Sequence, residues 1–137
     1  MSKVAIVFWS ATGNTETMAN CIAEGAGANG TIVPCTEMTP AKLAEFDVVA
    51  FGCPAMGAEQ LEESEFEPMF AALEGSLNGK KIALFGSYGW GDGEWMRSWE
   101  SRCNDDGANL ACESVICNEA PDDDALAACR ELGASLA

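Results

Sequence analysis

Histidine is absent from the sequence. With it goes the imidazole that serine and cysteine hydrolases use as a base and that most metal sites use as a ligand. Basic residues are scarce: 7 Lys and Arg stand against 22 Asp and Glu, for a net charge of −15. That balance argues against nucleic acid or an anionic membrane as a partner, and for basic protein surfaces. The seven cysteines contain no C-x-x-C pair, so neither a disulfide framework nor a zinc site is indicated. Cys21, Cys53, Cys103 and Cys129 fall on apolar positions, and Cys35, Cys112 and Cys117 suit strands; reduced thiols in a cytoplasmic protein are expected. No apolar run reaches transmembrane length. The N-terminal run is short and leads straight into a polar loop, unlike a secretory leader.

What is present is enough for one domain spanning residues 1–137, with 48% hydrophobic residues to fill a core. Short apolar runs alternate with amphipathic stretches, the pattern of a parallel sheet covered by helices. Strands are expected at Val4–Trp9, Thr31–Thr36, Val48–Gly52, Ile82–Ser87 and Leu110–Cys117. Pro34 cannot donate to a ladder, which sends the second strand to an edge. Helices follow each strand: from Thr15, over Ala41–Phe46, from Ser64 (with Glu67 in capping-box spacing), after Asp92, and from Pro121. Trp95, Trp99 and Cys103 lie four apart as a core stripe. The resulting fold class is α/β, a doubly wound five-stranded parallel sheet of order 2-1-3-4-5 in a three-layer αβα arrangement. The loops after strands one, three and four then converge at the carboxyl edge, around the switch point between strands one and three.

Each of those loops carries chemistry. Ser10-Ala11-Thr12-Gly13-Asn14-Thr15 ends a strand and opens a helix, so its amides and hydroxyls can cradle a phosphate without any Lys or Arg. Pro54-Ala55-Met56-Gly57-Ala58-Glu59 can cover a flat apolar ligand and read its polar edge. Ser87-Tyr88-Gly89-Trp90-Gly91 holds an aromatic ring between glycines, where it has something to stack on. Together they describe a phosphorylated planar ligand between Met56 and Trp90. A riboflavin phosphate fits every part, and a purine nucleotide fits less well. Two further patterns, Gly25-Ala-Gly27-Ala-Asn-Gly30 and Gly75 to Lys80, precede strands rather than helices and are read as turns.

These three loops resemble those of the short-chain flavodoxins of anaerobic, clostridial-like bacteria, and the resemblance runs through the whole chain, including a fifth strand without an insertion. It implies a flavodoxin-like fold, non-covalently bound FMN, and a low-potential one-electron carrier that substitutes for ferredoxin and turns over no substrate of its own. By position it implies a phosphate held by Ser10, Ala11, Thr12, Gly13, Asn14 and Thr15. It puts Met56 on the inner face of the flavin and Trp90 on the outer, with Pro54 and Ala55 beside Met56, and Glu59 accepting from flavin N3–H. The backbone at Ser87, Tyr88, Gly89 and Gly91, and the turn at Asn118-Glu119, would line the ribityl chain and pyrimidine edge. The peptide Gly57–Ala58 would flip on reduction, a motion that Ala58 hinders where glycine would not. The partners implied are reductases and other oxidoreductases with basic docking faces, steered by Glu59, Glu62, Glu63, Glu65 and Glu67, and a monomer is expected. Two other classes stand beside this one on the residues alone: a flavin-dependent reductase using NAD(P)H, and a flavin-free scaffold.

Overall fold

The computed structural model describes residues 3–11, 13–56, 60–89, 91 and 93–137. Expectations placed on Thr12, Gly57, Ala58, Glu59, Trp90 and Asp92, including the peptide flip and the Asp92 cap, lie outside the described residues.

Three strands form the centre: β1 (Val4–Phe8), β3 (Val48–Gly52) and β4 (Lys81–Tyr88). All five residues of β3 are buried, as the uninterrupted apolar run requires of a strand covered on both faces. Strand β2 (Gly30–Pro34) pairs only with β1, and Pro34 sits opposite Phe8 on that outer edge. The order β2-β1-β3-β4-β5 is the doubly wound one, and every pairing is parallel.

The fifth position is filled by two short segments, β5 (Asn109–Leu110) and β6 (Val115–Asn118), both paired with β4. Leu110 pairs with Ile82 and Val115 with Phe85. Four residues (111–114) therefore face two (83–84), and the surplus pair cannot stay in register. The single strand expected at Leu110–Cys117 bulges there, and Ser114 Oγ donates to Glu100 2.7 Å away.

Alternate residues of the central strands face opposite layers. Val4, Ile6, Val48, Ala50, Ala83 and Phe85 pack on α1 (Asn14–Ala26) and α5 (Asp123–Leu136). Ala5, Val7, Val49, Phe51, Ile82 and Leu84 pack on the other side. There they meet α2 (Pro40–Leu43), α3 (Phe66–Leu73) and α4 (Glu94–Asp105). The stripe of Trp95, Trp99 and Cys103 is buried on α4, and Arg102 beside it pairs with Glu67 and Glu74 to tie α4 to α3. Cys21, Cys35, Cys53, Cys103 and Cys129 are buried free thiols.

Other local details depart from the sequence reading: the helix expected over Ala41–Phe46 is the single turn Pro40–Leu43, and the second strand ends at Pro34, leaving Cys35 in a tight turn (Cys35–Glu37). Gly25 is no turn residue: it lies inside α1, where its missing side chain lets α5 approach. The capping box at Ser64 and Glu67 does not form. Helix α3 begins at Phe66, and the buried Glu62 carboxylate instead accepts from the amides of Ser64, Glu65 and Phe66 at 2.9, 2.7 and 2.9 Å. One ionised carboxylate can satisfy several first-turn donors that a hydroxyl could meet only singly.

Candidate functional site

The loops after β1, β3 and β4 meet around a cavity of about 310 Å³ at the carboxyl edge of the sheet. Its first wall is the β1–α1 loop. Ser10 Oγ accepts from Gly13 N at 3.1 Å and from Glu16 N at 3.3 Å, so the loop curls round that hydroxyl. Gly13 closes the curl with φ of 93°, in the left-handed region that glycine enters without steric cost. Ser10, Ala11, Asn14 and Thr15 face the cavity. Thr15 is 1% exposed, yet its Oγ1 finds no hydrogen-bond partner among the described residues. A buried hydroxyl without a partner, beside the free amides of a helix N-terminus, suits an anionic acceptor.

The second wall follows β3. Ala55 N donates to Ser87 O at 3.1 Å, which clamps Pro54 and Ala55 against the end of β4. Met56 and Gln60 exchange backbone hydrogen bonds of 2.8 and 2.9 Å. The Glu62 amide donates to Cys53 Sγ at 3.4 Å, joining the two ends of the loop. Burial raises the Cys53 thiol to about 12, so it stays protonated at neutral pH. Ser87, Tyr88 and Gly89 form the third wall.

The last contributor is Glu119, whose amide donates to Tyr88 O at 2.7 Å and whose φ is 57°. It lines the cavity, whereas its neighbour Asn118 lies in β6 and lines a separate cleft. Gly13 and Gly91 do not line the cavity either: Gly13 shapes the phosphate-type loop. The turn at Asn118-Glu119 is legible from sequence, but which of its residues turns inward depends on a left-handed conformation that a glutamate does not advertise.

The cleft between β6 and α5, about 520 Å³, is larger. Glu113, Asp122 and Asp124 line it, so it would repel a phosphate. The smaller cavity combines apolar walls, an amide-rich helix start and an unpartnered hydroxyl, and its described residues offer no base or nucleophile poised against one another.

The family profile described as Flavodoxin matches residues 6–133. Among curated relatives, the flavodoxin of Megasphaera elsdenii is 47% identical over 137 residues, covering 98% of each chain. The flavodoxin of Clostridium beijerinckii is 45% identical over 135 residues, covering 96% of this chain and 97% of its own. The solution structure of two-electron reduced Megasphaera elsdenii flavodoxin superposes with a TM-score of 0.88 at 48% identity, covering 97% of both chains.

Proposed function

The chain belongs to the flavodoxin family, electron carriers that depend on FMN and are not enzymes, and from that premise we propose that the cavity between the β1, β3 and β4 loops is its FMN site. The observation that carries this reading is the buried Thr15 hydroxyl at the start of α1, which has no partner among the described residues and lies on the wall of an otherwise largely apolar cavity. Bound FMN supplies the electron chemistry. The chain supplies the binding and the surroundings. Ser10 folds the loop, and the α1 amides with Thr15 Oγ1 donate to the phosphate. Met56 and Tyr88 would offer apolar surface to the ring, and Gly89 and Glu119 line the same cavity. Thr12, Gly57, Ala58, Glu59 and Trp90 complete the site by resemblance.

Thr15→Val is the test. It removes a hydrogen bond to a charged group, worth about 1.5–3 kcal/mol, and so should weaken FMN binding roughly 10- to 100-fold. The same change removes an unsatisfied buried hydroxyl, so the apoprotein should be no less stable. Fluorescence titration with FMN and urea unfolding of the apoprotein read the two effects separately. Unchanged FMN affinity would remove Thr15 from the site.

The reading extends to partners. Of the carboxylates expected to steer partners, Glu62 is buried under the α3 amides and Glu67 is paired with Arg102, so with a net charge of −15 it is the exposed Glu63 and Glu65 near Met56 that should attract basic docking faces of redox proteins. Electron transfer to a basic cytochrome should then slow steeply as ionic strength rises from about 0.01 to 0.5 M, where the Debye length falls from ~30 Å to a few Å. A rate indifferent to salt, measured by stopped flow, would contradict this steering. A cytoplasmic monomer is part of the same proposal.

A further inference from the structure

Trp95 and Trp99 lie one turn apart on α4, 1% and 2% exposed, and sequence pattern reads both as core. Their indole N–H groups are used differently. Trp99 Nε1 has no partner among the described residues, and its ring packs at 5.5 and 5.7 Å on Phe66 and Phe70, away from the cavity. Trp95 Nε1 donates to the Cys53 carbonyl at 3.1 Å. Its ring lies 5.4 Å from that of Tyr88. Cys53 is the base of the β3 loop that carries Met56, and Tyr88 belongs to the opposite wall.

Gly86 makes the arrangement possible. A Cβ there would meet Cys53 O at 2.3 Å and Trp95 Cζ2 at 3.3 Å, so the bare backbone lets indole, carbonyl and strand crowd together. From Cys53 two further bonds radiate: its amide donates to Phe85 O at 3.2 Å, and its Sγ accepts from Glu62 N at 3.4 Å. A shift of the Cys53 peptide would therefore move both ends of the loop at once.

We propose that Trp95 is a positioning residue of the cofactor site: one buried side chain, which does not line the cavity, sets the separation of the Met56 wall and the Tyr88 wall. This rests on the assignment of FMN to that cavity. A wall held at a fixed spacing discriminates between the oxidised and reduced forms of the ring, so moving it alters the ratio of the two affinities as well as their mean.

The test pairs Trp95→Phe with Trp99→Phe, which make the same loss of volume and of an N–H on the same helix. Trp95→Phe is expected to weaken FMN at least tenfold. It should also change the ratio of affinities for oxidised and one-electron-reduced FMN at least threefold, which is about 28 mV in the first midpoint potential at 59 mV per tenfold. Trp99→Phe is expected to lower the urea midpoint of the apoprotein comparably, with FMN affinity within twofold and the potential unmoved. Global stability cancels from the potential, because both flavin forms bind the same folded protein. Equal effects of the two variants on the potential would overturn the proposal.

Met56→Ala separates the two levels of inference. If it leaves FMN affinity unchanged, the cavity assignment fails and the proposal with it. If it weakens FMN while Trp95→Phe behaves like Trp99→Phe, only the positioning role fails. Should Trp95→Phe not fold, the wild type decides: with 15N-labelled indoles, FMN addition should shift the Trp95 Nε1–H signal and leave that of Trp99 in place. The reverse pattern would refute the role.

Discussion

Gly133→Ala should destabilise the protein by up to about 2 kcal/mol, although alanine is the better helix former. Within α5 the substitution gains about 1 kcal/mol of helix propensity. Against that, a Cβ at position 133 would stand 2.0 Å from Ile22 O and 2.8 Å from Ala26 N. Those are backbone atoms of α1, so no rotamer change can relieve the clash, and the helices must part. Gly25 makes the reciprocal contact, with its Cβ position 1.9 Å from Arg130 O. Parting the pair loosens Met18, Ile22, Cys129 and Leu132, all in the same core cluster. Overpacking of this kind costs about 1–3 kcal/mol, more when backbone must move. Gly133→Val should cost more than Gly133→Ala. Because α1 carries Asn14 and Thr15, FMN affinity should fall along with stability. Gly75→Ala is the matched control: nothing lies within 4 Å of its Cβ position, so its urea midpoint should hold or rise. A Gly133→Ala variant as stable as the parent would show that the helices do not rest backbone on backbone.

Glu62→Gln should be at least as damaging at pH 7, and its cost should depend on pH. Glu62 is 6% exposed. Burial alone would raise its pKa. Hydrogen bonds from the Ser64 side chain and from the amides of Phe66, Glu65 and Ser64 overcome that and hold it at about 2 rather than 4.5. The folded value lies below the unfolded one, so the ionised carboxylate stabilises the fold above the unfolded pKa. That contribution fades as pH falls through the interval from 4.5 to about 2. At about 1.4 kcal/mol per unit, the full contribution at pH 7 is about 3 kcal/mol. The glutamine variant should lose about that much at pH 7, and the gap between the two proteins should close as pH approaches 2, where the parent protonates too. Urea unfolding of both proteins at pH 7, 4 and 3 measures the gap. A gap independent of pH would mean that shape, and not charge, holds the start of α3.

Much of this architecture is written in the residues, and the omissions have physical causes. The runs at Val4, Val48 and Ile82 announce central strands because a strand covered on both faces cannot afford a polar face. Pro34 announces an edge. The three convergent loops announce the site, and the structure brings Ser10, Ala11, Asn14, Thr15, Pro54, Ala55, Met56, Ser87, Tyr88 and Gly89 to one cavity. The break between β5 and β6 is invisible because it arises from counting residues against β4, a partner distant in sequence. Gly25 reads as punctuation until α5 is placed against it. Among the glutamates at 62, 63, 65 and 67, spacing alone cannot say which carboxylate turns inward to meet the α3 amides. The indoles of Trp95 and Trp99 are likewise equivalent on a helical wheel, and only the Cys53 carbonyl tells them apart.

The central claim is that FMN occupies the cavity at the β1, β3 and β4 loops. Amide NMR of the 15N-labelled apoprotein, recorded during FMN addition, tests it most directly. The expected result is saturation at one equivalent, with the largest shifts at Ser10, Gly13, Asn14, Thr15, Ala55, Met56, Ser87, Gly89 and Glu119. Shifts centred instead on Val115, Cys117, Asp122 and Asp124, in the cleft between β6 and α5, would contradict it.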